Sequence, residues 1–277
     1  MTLQPVILLL MILSVVASTP CPYKACSCDD KKNPDRIDCN SKNLTSLPTL
    51  ESGHFTQTWL DIRNNNITEI PKGYKFPPQL TRLDMNYNHL HDIDPGTLSS
   101  LPLTVLDLSD NYLQSISHIL FPPSLTTLSL YNNNITTVCA QHFSKSITVL
   151  DLSYNPISNI STDTFSHLTN LTEIYLASTH LTSIDQLSLP ESLTTVDMSN
   201  ARLIHIPLSL TVLTNLETLY LLSNQDLQCS CKAPALASWY RARKQRGYID
   251  IDGDCINQGG SSIDYFLDNF EKLCSSD

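Results

Sequence analysis

The interior of the chain is built from one pattern, L-x-x-L-x-L-x-x-N-x-L-x-x-I, which recurs at intervals of 22 to 24 residues. A partial copy, TWLDIRNNNITEI, comes first, and LETLYLLSNQDL comes last. Clear copies begin between them at Leu80, Leu103, Leu125, Ile147, Leu171 and Leu193. A period of this length is typical of solenoids, in which each unit buries its apolar face only by stacking on its neighbours.

Within each copy the segment x-L-x-L-x alternates with period two, which predicts a short strand whose leucines point inward. Each strand has only the strands of adjacent coils to pair with, so the strands form a parallel sheet. Wider structure on the opposite side forces the stack to curve. The sequence therefore predicts an α/β-type repeat solenoid, a curved horseshoe with a parallel sheet on its concave face.

The repeated asparagine occupies the turn that follows each strand. An amide both donates and accepts, so stacked asparagines satisfy buried backbone groups of adjacent coils, and losing one costs about 1–3 kcal/mol. This ladder comprises Asn65, Asn88, Asn111, Asn133, Asn155 and Asn224. Thr179 and Ala201 stand in the same position of two other repeats. A hydroxyl still donates but a methyl does not, so the ladder is predicted to be weakest at Ala201.

Nine cysteines form one group of four near each end, with Cys139 between them. This clustering favours two disulfide frameworks in an oxidising compartment over zinc sites, and each group of four allows three connectivities. Cys139 is predicted to be a thiol outside both frameworks, with a disulfide-linked dimer as the alternative.

Residues 1–18 contain an apolar run that ends in small residues, which predicts a secretory signal peptide; the alternative is a buried N-terminal helix. A second long apolar segment does not follow, so the mature chain is expected to be secreted and not inserted in a membrane. The formal charge of −10 argues against a nucleic-acid partner, because binding to phosphates requires cations.

The two ends carry a family resemblance. CPYKACSCDDKKNPDRIDC and the segment from Cys229 to Cys274 closely resemble the LRRNT and LRRCT flanking domains of extracellular leucine-rich repeat proteins, including variable lymphocyte receptors and receptor ectodomains. The resemblance implies an LRRNT cap at 19–55, about seven to eight repeats at 56–222 and an LRRCT cap at 223–277. It also implies the disulfides Cys21–Cys28, Cys26–Cys39, Cys229–Cys255 and Cys231–Cys274.

By this resemblance the chain is expected to bind a macromolecule, most readily a protein, through its concave face, in immune recognition or cell signalling. The alternatives are a matrix component that binds collagen or glycan, and the soluble ectodomain of a receptor. The outward strand positions present carboxylates flanked by tyrosines, which suit a basic protein surface. The alternative is that these carboxylates only keep the face soluble. The candidate contacts are Asp61, Asp84, Tyr87, Asp107, Tyr131, Asp151, Tyr154, Tyr175, Asp197 and Tyr220.

A basic segment lies near the C-terminus and could bind an acidic glycan, although a solvated helix face is the favoured interpretation. Its cations are Arg241, Arg243, Lys244 and Arg246. N-x-S/T triplets predict glycosylation at Asn43, Asn66, Asn134, Asn159 and Asn170. The sequence offers neither a catalytic constellation nor a phosphate-binding loop, so an enzyme, a metal site and a cofactor are not expected.

Overall fold

The structure, a computed structural model, describes residues 21–28, 31–51, 53–140, 143–247 and 249–275. The predicted signal peptide at 1–18 lies outside these residues. The strands, in chain order, are β1 (Arg36–Asp38), β2 (Trp59–Asp61), β3 (Glu69–Ile70), β4 (Arg82–Asp84), β5 (Asp92–Ile93), β6 (Val105–Asp107), β7 (Thr127–Ser129), β8 (Thr137–Val138), β9 (Val149–Asp151), β10 (Asn159–Ile160), β11 (Glu173–Tyr175), β12 (Thr195–Asp197), β13 (Thr218–Tyr220), β14 (Asp250–Asp252), β15 (Asp254–Cys255) and β16 (Ser261–Ser262).

Ten of these strands form one parallel sheet in the order β1-β2-β4-β6-β7-β9-β11-β12-β13-β14. All except the first and last come from the repeats, so the sequence prediction of a parallel-sheet solenoid of about eight turns, consistent with a horseshoe, is confirmed. The pairs β3–β5 and β8–β10 form two small parallel sheets elsewhere in the coils. The central residue of each repeat strand is buried, as Leu106 and Leu150 illustrate, and the leucines form one continuous core.

The asparagine ladder forms as predicted. In the coil of Asn111, the side-chain oxygen accepts from the Leu90 N–H at 2.9 Å, and the side-chain nitrogen donates to the carbonyls of Met85 and Leu108 at 3.1 Å each. Each asparagine thus joins its own turn to the turn of the preceding coil. Bonds to both turns recur at Asn65, Asn88, Asn133, Asn155 and Asn224.

The ladder is interrupted where the sequence lacks asparagine. Thr179 donates one bond, to the Leu176 carbonyl at 2.9 Å. At Ala201 the position is filled by a buried methyl, and the Leu181 N–H that an asparagine would accept from has no hydrogen-bond partner among the described residues. Leu181 itself is buried, so an acceptor introduced at position 201 would have this N–H to bond.

The residue just before each ladder position adopts a left-handed backbone, a feature that the sequence pattern did not predict. In the eight repeats φ lies between 50° and 58° at Asn64, Tyr87, Asp110, Asn132, Tyr154, Ser178, Asn200 and Ser223. The conformation is fixed by stacking, because the N–H of such a residue donates to a carbonyl of the next coil, as Tyr87 does to Ser109 at 3.1 Å.

Both terminal segments extend the sheet, β1 from the predicted N-terminal cap and β14 from the predicted C-terminal cap. The structure pairs Cys21 with Cys28, Cys26 with Cys39, Cys229 with Cys255 and Cys231 with Cys274, which are the pairs implied by the resemblance. The C-terminal segment adds the β15–β16 hairpin and three helices. They are α1 (Pro234–Lys244), α2 (Ile263–Asp268) and α3 (Phe270–Leu273).

Candidate binding surface

The outward side chains of the ten-stranded sheet form columns, because the parallel strands pair in register. The third residue of each strand faces its counterpart on the next, so Asp61 lies beside Asp84 and Asp84 beside Asp107. From β1 to β14 this column reads Asp38, Asp61, Asp84, Asp107, Ser129, Asp151, Tyr175, Asp197, Tyr220 and Asp252. Adjacent strands are about 4.8 Å apart, so the carboxylates need neutralisation, hydrogen bonds or solvent.

In the N-terminal half of the sheet, Asp61 is covered by arginines. Its side chain is fully buried, and its Oδ2 lies 2.5 Å from an Arg36 nitrogen and 2.8 Å from an Arg63 nitrogen. Two guanidinium groups therefore hold one carboxylate that solvent does not reach. The prediction of Asp61 as an exposed ligand contact does not fit this placement, because the side chain is used inside the protein.

A stack of cations and an aromatic ring explains the burial of Asp84. The Trp59 ring lies between the guanidinium carbons of Arg36 and Arg82, at 5.2 and 4.7 Å from its centroid. The indole nitrogen donates to Asp84 at 2.8 Å, and the Arg82 Nε lies 3.0 Å from the same carboxylate oxygen. Burial raises the pKa of Asp84 despite these bonds, which oppose the shift. Asp84 is thus also unsuited to the contact predicted from the sequence.

The C-terminal half of the sheet keeps its carboxylates available. Asp151 and Asp197 each accept from the backbone N–H two residues later, Ser153 at 2.9 Å and Ser199 at 2.8 Å. Within the part of the chain that the structure describes, no basic side chain lies within salt-bridge distance of either carboxylate. Burial raises the pKa of Asp151, the bonds from Ser153 lower it, and the charge of Asp197 raises it further.

Asp107 lies between these two environments and takes part in a chain of hydroxyl bonds. The Ser109 hydroxyl donates to the Asp107 carboxylate, and the same hydroxyl lies 2.7 Å from that of Ser129. The Asp107 carboxylate also accepts from the Ser109 N–H at 2.9 Å. Asp107 therefore also stabilises the turn that follows its own strand through local hydrogen bonds.

The predicted tyrosines lie on or beside the same face. The rings of Tyr131 and Tyr154 are 4.9 Å apart, and Tyr154 is 50% exposed. Tyr87 and Tyr220 are also exposed, at 56% and 36%. The Tyr175 hydroxyl donates to Glu173 at 2.6 Å. Burial raises the pKa of Tyr175, and the hydrogen bond to Glu173 and the charge of Glu173 raise it further, so the phenol stays neutral.

The basic segment does not present the four free cations that glycan binding would require. Arg243 is buried, and its guanidinium donates to the carbonyls of Thr214 and Leu216, which ties α1 to the last coil. Arg241 pairs with Glu271 at 3.0 Å. Lys244 pairs with Asp268 at 2.5 Å. Arg246 is exposed. The solvated-face interpretation therefore fits the segment except at Arg243, whose structural role the sequence did not indicate.

The remaining predicted positions lie outside the concave strands. The side chains of Asn43, Asn66, Asn134, Asn159 and Asn170 are all exposed. Cys139 is half-buried directly after β8 and takes no part in the four disulfides. Among the described residues, no cluster of three or more His, Cys, Asp or Glu side chains is placed to hold a metal ion.

Comparison with known families agrees with this geometry. The family model for the leucine rich repeat matches residues 58–113, 102–146 and 123–181. The chain carries leucine-rich repeats. Such solenoids typically serve as non-enzymatic scaffolds that bind proteins. A search of curated proteins found no match. Across the described residues, every helix falls short of the length and apolar character needed to span a membrane.

Proposed function

We propose that this leucine-rich repeat protein works outside the cell and binds a basic protein surface through the C-terminal half of its concave sheet. The observation that carries the proposal is the contrast in neutralisation along one column: Asp61 and Asp84 are paired internally, whereas Asp151 and Asp197 are not. Carboxylates without internal partners gain most from an incoming cation.

The tyrosines make the same surface suited to protein recognition. Tyr154 and Tyr220 offer large rigid rings with few rotatable bonds, so little conformational entropy is lost on binding. The face is acidic within a chain of formal charge −10, and acidic surfaces accelerate encounter with basic partners at low salt. The expected interface therefore combines aromatic contacts with steering carboxylates.

The test replaces charge while keeping the local hydrogen bonds. An Asp151→Ser/Asp197→Ser variant introduces the residue that Ser129 supplies in the same column, so it keeps a hydroxyl acceptor for the N–H groups of Ser153 and Ser199 but removes two charges. Serine is used because asparagine at either position would create a new N-x-S triplet on the concave face. Its control, Asp163→Asn/Glu191→Gln, removes two charges from exposed carboxylates away from the concave strands. Partners captured from extracellular material by the mature protein are identified, and their affinities for each variant are measured at two salt concentrations.

The concave variant is expected to lose about tenfold or more in affinity and much of the salt dependence, whereas the control stays near the parent. Equal affinities for all three proteins would refute concave recognition by these carboxylates. Loss in the control alone would move the interface to another face.

The extracellular location rests on the two pairs of terminal disulfides, which persist in oxidising compartments. In this proposal the five exposed sequons carry N-glycans, and their positions outside the concave strands leave that face accessible. Mass spectrometry of the secreted protein before and after enzymatic deglycosylation tests this. An unchanged mass would contradict glycosylation, and reduced cysteines at both ends would contradict the extracellular assignment.

A further inference from the structure

A second surface lies away from the concave sheet, where the seventh repeat meets the C-terminal segment. It is a cleft of about 310 Å³, and its floor is formed by the buried side chains of Ile206, Leu236 and Phe266. Ile204 and Leu208 form its rim, 48% and 45% exposed. This volume is at the lower end of the roughly 300–1,000 Å³ range of small-ligand clefts.

The repeat itself shows that the apolar rim is not required for folding. Three residues after the ladder position, Ile204 is the equivalent of a polar residue in each preceding repeat. These equivalents are Thr68, His91, Gln114, Thr136, Ser158 and Thr182. The position faces outward, so a polar residue serves the coil equally well. Among the first seven repeats, only the seventh, which borders the cleft, places a large apolar side chain there.

The walls of the cleft are held in place by bonds between repeat and terminal segment. The Gln228 N–H donates to the Ile204 carbonyl at 2.8 Å, which joins one wall to the other. Helix α1, which contributes Leu236 to the cleft, is tied to the repeats because the Trp239 indole donates to the Leu213 carbonyl at 3.3 Å. The cleft is thus preformed, which lowers the entropy lost when a ligand binds.

One lysine lines the cleft, together with the polar residues His205, Gln228 and Ser230. Lys232 is exposed, and among the described residues it forms no salt bridge. The other titratable side chain at the cleft, His205, is already bonded to Asp185 at 2.9 Å, and Asp185 also accepts from the Leu208 N–H. The cleft therefore offers apolar surface and one positive charge that is not matched internally.

We propose that this cleft binds a small amphipathic anion, a linear carboxylate of medium chain length, with its alkyl chain against Ile204, Leu208 and Phe266 and its carboxylate at Lys232. The alkyl chain covers apolar area that water otherwise contacts. The Lys232 ammonium supplies a charge-assisted bond to the carboxylate. This inference does not depend on recognition by the concave sheet.

The test is calorimetric titration of the intact protein with decanoate, and with decanol as the uncharged match. The Ile204→Thr/Leu208→Gln variant introduces the residues that the preceding coil has at the equivalent positions, Thr182 and Gln186, so the fold is expected to persist. Lys232→Gln removes the charge alone. Leu120→Gln, at an exposed leucine of another repeat, is the control.

We expect saturable binding of decanoate at one site and a loss of at least about tenfold in Ile204→Thr/Leu208→Gln. Lys232→Gln should weaken decanoate severalfold and leave decanol unchanged, and Leu120→Gln should match the parent. Ile204→Thr alone gives an intermediate affinity, and melting temperatures verify folding of each variant.

Absence of saturable decanoate binding by the parent, or equal binding by Ile204→Thr/Leu208→Gln, would overturn the proposal. Capture of a protein by the parent that this variant loses, without decanoate binding, would also overturn it and assign the cleft to a protein partner.

Discussion

The two halves of the concave sheet use the same residue type in opposite ways. In the N-terminal half, Asp61 and Asp84 are buried under Arg36, Arg82 and the Trp59 ring. In the C-terminal half, Asp151 and Asp197 occupy the same column but have no basic side chain within salt-bridge distance among the described residues. The same backbone geometry therefore gives a surface whose carboxylates are neutralised by arginines at one end and an acidic surface at the other.

The asparagine ladder divides the molecule in a similar way. It is continuous from Asn65 to Asn155, and then Thr179 and Ala201 interrupt it before Asn224. The N-terminal half thus has stronger internal bonding in its turns and on its concave face. The C-terminal half has fewer hydrogen bonds in its turns and more carboxylates without a basic partner, a distribution common at binding surfaces. Stability and recognition are concentrated in different repeats.

The largest expected effect is at the paired end of the sheet. Arg36→Met leaves the fully buried Asp61 carboxylate with one cation fewer, so the free energy of unfolding should fall by about 3 kcal/mol. Urea denaturation followed by circular dichroism measures the change. Arg202→Met, at an exposed arginine in the C-terminal half, is the control and should stay within about 0.5 kcal/mol of the parent. Equal losses in both variants would remove the contrast between the halves.

The ladder gives an effect of intermediate size and opposite sign in the two halves. Asn111→Ala should lower the free energy of unfolding by about 1–3 kcal/mol. The buried Leu90 N–H loses its acceptor, and the carbonyls of Met85, Leu108 and Ser109 each lose one donor. Ala201→Asn should raise it by about 1 kcal/mol, because the amide oxygen can accept from the Leu181 N–H. Thermal unfolding of both variants tests this. A clear drop in melting temperature for Ala201→Asn would show that the turn cannot hold an amide.

The smallest effect is a pH-dependent one at Asp151. Burial raises its pKa in the folded state, so the ionised side chain is disfavoured there, and the protein loses stability as pH rises through that pKa. Asp151→Ser, which unlike asparagine creates no N-x-S triplet with Ser153, should therefore be more stable than the parent by less than about 1 kcal/mol at neutral pH. The difference should vanish below the ordinary Asp pKa of about 4, where both forms are neutral. A constant difference from pH 3 to pH 8 would contradict this origin.

The sequence predicted the fold because the repeat specifies it redundantly. Leucine periodicity set the strands, and the single inward asparagine per coil set the turns, including the weak positions Thr179 and Ala201. The burial of Asp61 and Asp84 depends on the neighbouring column of outward residues. This column contains Arg36, Trp59 and Arg82, and its register also follows from the repeat. Comparing both columns from the sequence would have shown a cation beside each carboxylate.

Other features depend on contacts between elements that periodicity does not describe. Arg243 appeared as one charge in a basic run, but helix α1 directs it onto carbonyls of the last coil. The strand β14 and the cleft beside Ile204 both arise from how the C-terminal segment packs on the seventh and eighth repeats. That segment has no repeat of its own, so its sequence gave no register from which to infer these contacts.

In the left-handed residue that precedes each ladder position, the backbone contributes to folding, whereas the side chain is available for recognition. Its backbone is held by bonds between coils, so the side chain is under little structural constraint. Six of the eight repeats place Asn, Asp or Ser there, whereas Tyr87 and Tyr154 carry large rings in a conformation that asparagine or glycine adopts with less strain. These two positions could therefore be varied widely, one repeat at a time, to give new specificities on an unchanged scaffold.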